Sequence, residues 1–195
     1  ILAQVVKYAV ARGPSRFCVM LPVRRLVAPA RAVLSRRQFA SPASLNKIIF
    51  TAAAKADAGA REGNVKAIGE HHGNLDLKLE KHPKHGGKGG GTNPEELMAA
   101  GYSACFNGAL RLCADKNGIK IGDSAVTSEV SLGVESDEVT GGVPLRVGLK
   151  VKLIAEVEGV DDATAQKVAE LAHEFCPYSR ATRGNIEVEV VGKGK

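Results

Sequence analysis

The stretch that most constrains the fold is Asn93-Pro94-Glu95-Glu96 with the apolar run behind it, Leu97-Met98-Ala99-Ala100-Gly101-Tyr102-Ser103-Ala104-Cys105-Phe106. Asn caps helix N-termini with its side-chain oxygen. Pro is tolerated at the first helical position, where its missing N–H would have no partner, and Glu96 stands where a carboxylate completes a capping box. The helix predicted from this start runs to about Asn117, and Gly118 stops it. Its content is apolar nearly all round, so it belongs in the core and the rest of the chain has to be built around it. Cys105 is thereby expected in the interior.

What surrounds it reads as strands and one further helix. Lys47–Ala54, Asn64–Gly69 and Leu75–Glu80 are short β-like runs divided by turn residues, which predicts a three-stranded meander. The segment 81–92 holds five glycines among twelve residues, too many for regular structure. It lacks the Gly-Lys-Ser/Thr ending of a phosphate loop, because Lys88 is followed by Gly89. Alternation over 125–136 and again over 145–157 predicts a long half-buried antiparallel hairpin closed through Gly141-Gly142. Val168, Leu171, Ala172 and Phe175 have helical spacing in a second helix from Asp161 or Asp162 to Cys176, ended by Pro177; Ile186, Val188 and Val190 form a last strand. This order, without a βαβ repeat, is α+β.

Charge divides the chain. The first 50 residues carry nine Lys and Arg and no acid, whereas the other 145 carry 18 basic against 21 acidic residues. The body is mildly acidic, which removes the electrostatic case for nucleic-acid binding by the folded part. An acid-free, Arg-rich arm interrupted by small and apolar residues has the composition of a mitochondrial transit peptide, and Arg12, Arg16, Arg24, Arg25 and Arg31 break every apolar run a secretory signal would need. Arg36-Arg37-Gln38-Phe39-Ala40-Ser41 is similar to a matrix-processing site. The expected organisation is a disordered targeting presequence over 1–39 and one domain over 40–195, mature from near Ala40 in the mitochondrial matrix; the alternative is a basic tail retained for anionic surfaces. No run reaches 18 apolar residues, so no membrane-spanning helix is expected.

Cys105, Cys113 and Cys176 lie in the predicted domain, and Cys18 in the arm. In a reducing compartment such thiols are redox-active, metal-binding or core filler. Cys105 and Cys113 are eight residues apart on one helix, about 12 Å, beyond the roughly 7 Å that a disulfide spans between Cα atoms. Cys176, at a helix end before Pro177, has the mobile position that suits a resolving thiol. A redox couple of Cys105 and Cys176 and a pair of small core hydrophobes both remain open on spacing alone.

The run from Thr92 to Phe106, together with Ala172-His173, Cys176-Pro177-Tyr178-Ser179 and Ala181-Thr182-Arg183-Gly184-Asn185-Ile186, resembles the organic hydroperoxide resistance proteins, the Ohr branch of the OsmC/Ohr superfamily. Gly59-Ala60-Arg61-Glu62-Gly63 is similar to that family's arginine turn, and the resemblance covers about Lys47 to the C-terminus. It implies an OsmC/Ohr-like fold, antiparallel sheets around a buried central helix, in an intertwined homodimer. It also implies a thiol peroxidase for organic, including lipid, hydroperoxides. Cys105 would be the peroxidatic thiol, Cys176 would resolve its sulfenic acid as an intramolecular disulfide, Arg61 would hold the thiolate and Glu95 would orient Arg61. The implied reductant is a lipoyl dithiol on a lipoylated protein; no bound cofactor, metal, nucleic acid or stable membrane insertion is implied. The physical logic agrees: burial disfavours a thiolate, a guanidinium restores it, and a carboxylate fixes the guanidinium. Glu95 and Cys105 are ten residues apart, about 15 Å along a straight helix, so Arg61 must bridge them or the helix must break near Gly101-Tyr102.

Two rivals carry other expectations: an OsmC-type peroxidase of the same superfamily, and a non-catalytic metal or lipid carrier on the same fold. His82, His85 and the pair His71-His72 read as solvated loop histidines, Cys113 as core, and Tyr102, Phe106 and Phe175 as packing; Arg180 and Arg183 are turn residues or aids to substrate approach.

Overall fold

The computed structural model describes residues 45–70, 73–135, 139–140, 143–144 and 146–195. The expected presequence over 1–39 with its expected processing site near Ala40, the pair His71-His72 and the expected closure of the hairpin at Gly141-Gly142 lie outside the described residues.

Strands β1 (Ala53–Ala56), β2 (Asn64–Ile68) and β3 (Asp76–Lys78) form an antiparallel meander, with Ala56 opposite Val65 and Val65 opposite Leu77. The first strand begins later than Lys47. Leu45, Ile48, Ile49 and Phe50 are 69–89% exposed and outside any strand. Apolar β-prone residues pair only where a neighbouring strand offers a half-buried surface, and β2 ends opposite Ala53. In the glycine-rich segment, a 3-10 turn (Pro83–His85) starts at His82, and Leu79 bridges to Thr92. Gly87 is required there, because a Cβ would run into the Lys81 carbonyl.

Helix α1 (Pro94–Lys116) starts as predicted: Asn93 Oδ1 accepts from the Glu96 N–H at 2.9 Å, and Gly118 follows at φ +67°. One face, with Tyr102, Phe106 and Leu110, is fully buried. The opposite stripe, Ala100, Ala104, Gly108 and Leu112, is exposed in the protomer, so the helix is not buried all round and Cys105 is half-buried rather than interior. Small residues read as apolar in a sequence yet present little surface that must be hidden.

Strands β4 (Ser124–Val134) and β7 (Val147–Val157) form the long antiparallel hairpin, Ser124 opposite Val157 and Val134 opposite Val147, with the two-residue strands β5 (Val139–Thr140) and β6 (Val143–Pro144) paired between them in sequence. Val151, Leu153, Ala155 and Val157 face the core. Helix α2 (Asp162–Phe175) is capped by Asp161, whose Oδ1 accepts the Thr164 N–H at 2.7 Å, and contributes Ala165, Val168, Ala169 and Ala172 to that core. Leu171 is half-buried, whereas Phe175 is exposed beneath the Lys116 ammonium, 5.3 Å from its ring centroid. Pro177 ends α2 and at once opens α3 (Pro177–Thr182).

The last strand, β8 (Glu187–Gly194), lies parallel to β7. The sheet β4-β7-β8 is therefore mixed, and β7, the helical pair and β8 form one βαβ crossover that the sequence order did not suggest. A parallel partner needs a crossover of a dozen residues or more, which α2 and α3 supply. The α+β class stands: a meander and a mixed sheet, with α1 and α2 packed on one face of the latter.

Candidate functional site

Two side-chain pairs converge on α1 from distant parts of the chain. In the first, Arg61 comes from the 3-10 turn Ala60–Glu62 between β1 and β2, and Glu95 from the first turn of α1. The Arg61 Nη2 donates to both Glu95 carboxylate oxygens at 2.6 Å. The turn is shaped locally: the Asp57 carboxylate accepts from the Gly59 N–H at 3.0 Å and from Asn64 Nδ2 at 2.8 Å, and Ala60 adopts φ +49°, where a side chain is strained. Among the described residues the buried Nε of Arg61 has no hydrogen-bond partner.

In the second pair, Cys105 is carried by α1, and Cys176 sits at the joint between α2 and α3, at φ −58° and ψ 127°. The residue before a proline is driven from helical into extended backbone, which explains the joint. Cys176 is fully buried, so it does not hold the mobile position expected of it; α1, α2 and β7 close over that corner of the core. Its thiol donates to Cys105 Sγ at 3.6 Å, and both thiols are free. Burial pushes the Cys105 thiol up from its ordinary value, the Cys176 thiol adds to that, and the backbone N–H of Tyr178 pulls it partly back.

All four residues singled out in the sequence are thus paired, but as two couples. Neither arrangement expected to join Glu95 to Cys105 is seen: helix α1 is unbroken between them, and among the described residues Arg61 does not bridge to the thiol. Among the described residues the hydrogen bonds of Arg61 go to Glu95 alone.

Beside the thiols lies a chain of hydroxyls that sequence reasoning missed. Tyr102 OH donates to Ser179 Oγ at 3.0 Å and lies 3.3 Å from Thr182 Oγ1; His173 Nδ1 is 3.0 Å from Ser179 Oγ. Tyr102 and Ser179 are fully buried. The signal was present as a row of residues three apart, His173, Cys176, Ser179 and Thr182, but only the fold turns it toward Tyr102.

Burial first, and the neighbouring Arg183 second, hold the His173 imidazole below its usual value, with Glu174 opposing. Arg183 donates to the His173 carbonyl at 2.9 Å and pairs with Glu174 at 3.0 Å, which makes it a brace on the end of α2. Cys113 is buried and donates to the Leu171 carbonyl at 3.6 Å. Among the described residues no group of three or more His, Cys, Asp or Glu side chains is placed to hold a metal.

Fold and site together define a dithiol protein, with one thiol on a central helix and the other buried at the joint of a C-terminal helical pair. The OsmC-like protein family profile matches residues 87–191. An organic hydroperoxide resistance protein of Xanthomonas axonopodis pv. citri is 43% identical over 148 residues, covering 75% of this chain and 96% of that one. The solved structure of an organic hydroperoxide resistance protein from Elizabethkingia anophelis superposes with a TM-score of 0.65 at 41% identity, covering 76% of this chain and 99% of that one. OhrB of Bacillus subtilis gives a TM-score of 0.61 at 38% identity, with 76% and 100% covered. The chain belongs to the OsmC/Ohr family.

Proposed function

We propose that this protein is a thiol-dependent peroxidase that reduces organic hydroperoxides, lipid-derived ones included, to alcohols. The observation that carries the reading is the 3.6 Å approach of two free thiols whose residues are 71 positions apart in the chain; the names of its relatives supply the substrate class. The Cys105 thiolate attacks the terminal peroxide oxygen, the O–O bond breaks, and the alkoxide leaves as the alcohol on taking a proton. The Cys105 sulfenic acid then condenses with the Cys176 thiol, releasing water and forming the disulfide. Closing the sulfur separation to about 2.05 Å is a shift of about 1.5 Å. A dithiol reopens it by exchange and is itself oxidised to a cyclic disulfide; a lipoyl group on a protein is the proposed donor.

Because burial raises the Cys105 thiol, the reading assigns to Arg61 the task of stabilising the thiolate and to Glu95 that of aiming Arg61. It further places the protein in a homodimer, supported by exposed Leu45, Ile48, Ile49 and Phe50 and by the exposed stripe along α1. A mitochondrial matrix location is supported by the acid-free basic arm.

The test is the free-thiol count of the chain from Ala40 onward before and after one equivalent of cumene hydroperoxide. A fall from three thiols to one, with a peptide linking Cys105 to Cys176, is expected. In Cys176→Ser, one equivalent should leave Cys105 as sulfenic acid, and a second equivalent should take it on to sulfinic acid. An unchanged count of three would refute the peroxidase and favour a carrier.

A further inference from the structure

Two hydroxyls bind α3 to α1 at the same offset from the two thiols. Tyr102 stands three residues before Cys105 on α1, and Ser179 stands three residues after Cys176, so the Tyr102–Ser179 hydrogen bond at 3.0 Å lies about one helical turn from the sulfur contact at 3.6 Å on both segments. We propose that Tyr102, Ser179 and His173 are positioning residues for the resolving step, a clamp that keeps Cys176 in register with Cys105 while the disulfide forms. This inference rests on the peroxidase reading above.

Helix α3 has six residues, too few to hold its own geometry. Cys176 depends on it nonetheless: its N–H donates to the Ala172 carbonyl at 2.8 Å and its carbonyl accepts the Arg180 N–H at 2.9 Å, so its backbone is tied into both α2 and α3. Near the thiols α3 is tied to α1 by the Tyr102 hydroxyl, which donates to Ser179 at 3.0 Å, by the Tyr102 ring against that of Tyr178, 5.5 Å between centroids, and by the Tyr178 N–H at the Cys105 thiol. Thr182 Oγ1 in turn donates back to the Tyr178 carbonyl at 3.0 Å, closing the short helix on itself.

His173 completes the chain from the α2 side. With Tyr102 donating to Ser179, the Ser179 hydroxyl proton is free for the ring nitrogen of His173, 3.0 Å away, and a neutral imidazole accepts it. The Cys176 segment is thus held on both sides of its sulfur, by His173 and by Ser179, and joined to α1 one turn before Cys105. Disulfide formation then needs only the residual approach of the sulfurs, not a search by a loose helical turn.

Cys105 is carried by α1 itself, and the group of α3 that reaches its thiol, the Tyr178 backbone N–H, is one that no side-chain substitution removes. The clamp therefore acts on one step of the cycle. Losing it should slow the condensation about 10- to 100-fold, the scale of a misplacement near 1 Å, and leave sulfenic acid formation within about threefold.

The experiment is rapid mixing of the reduced full chain with cumene hydroperoxide, followed by acid quench. Mass spectrometry then counts Cys105 sulfenic acid trapped by dimedone, the Cys105–Cys176 disulfide and Cys105 sulfinic acid. Tyr102→Phe, Ser179→Ala and the double variant are compared with wild type. The expected result is slow disulfide formation with more sulfinic acid in each single variant and, in the double, a loss no greater than that of Ser179→Ala, which already removes both the Tyr102 and the His173 contacts. Disulfide formation within twofold of wild type in both single variants, even with a lowered Tm, would overturn the clamp and leave the network structural. If a buried variant fails to fold, half-buried His173→Gln makes the same measurement, with slower disulfide formation supporting the clamp and a wild-type rate refuting it. A wild type that forms no sulfenic acid would instead refute the peroxidase reading.

Discussion

Glu95→Gln keeps the side chain's length and removes its charge, which isolates what the carboxylate does for Arg61. Both Glu95 oxygens lie 2.6 Å from one guanidinium nitrogen, with the side chains 39% (Arg61) and 18% (Glu95) exposed. Unit charges about 4 Å apart attract by about 1–4 kcal/mol for effective dielectric constants between those of water and a protein surface. The exposure of Arg61 and salt screening put the pair near the low end, about 1 kcal/mol. For a domain of this size that is about 2–4 °C in Tm. The catalytic loss should be much larger, because a freed guanidinium no longer stands at a defined place, and a misplacement near 1 Å costs about 100-fold. We therefore expect kcat/KM for cumene hydroperoxide, with dihydrolipoamide as reductant, to fall about 10- to 100-fold while Tm drops by only a few degrees. A kcat/KM within threefold of wild type, or an activity loss that merely tracks unfolding, would show that Glu95 does not aim Arg61.

Arg61→Ala should raise the pH midpoint of Cys105 alkylation by iodoacetamide above the wild-type midpoint, since burial already pushes that thiol up; an unmoved midpoint would remove Arg61 from thiolate stabilisation. Gly192→Ala should destabilise by about 1–3 kcal/mol, measured by urea unfolding, because its Cβ would collide with the backbone of Ala165 and Gln166 in α2; an unchanged midpoint would mean that β8 can move off the helix. His173 is depressed in the folded state, so the unfolded chain binds its proton first as pH falls below about 6.5. Its contribution to stability is complete above that value and lost below it. Wild type should accordingly lose more Tm between pH 7 and 5 than His173→Gln, and equal losses would contradict the burial argument.

The central helix was legible to the residue because its start signal is local: Asn93, Pro94 and Glu96 act within one turn, and Asn93 caps it as read. The long hairpin was legible because alternation is a property of one strand at a time. Less legible were features that need a second segment. Ile48 to Phe50 look like a strand until one asks what pairs with them. Cys176 looks mobile, next to Pro177, until α1 and α2 close over it. Glu95 and Arg61, in isolation, are a helix-dipole acid and a turn charge; only the register of the meander against α1 sets them 2.6 Å apart.

Local signals determined most of the element types and the helix caps, since capping, turn and periodicity rules act over a few residues; the four residues around which chemistry is proposed came from the resemblance of the longer motifs to a family. Tertiary structure alone decided that β8 joins β7 in parallel, that Cys176 is buried 3.6 Å from Cys105, and that Tyr102 reaches Ser179 across 77 positions. Those contacts come from burying α1 and α2 on one sheet, and a linear pattern carries no distance between segments that meet only when the chain closes on itself.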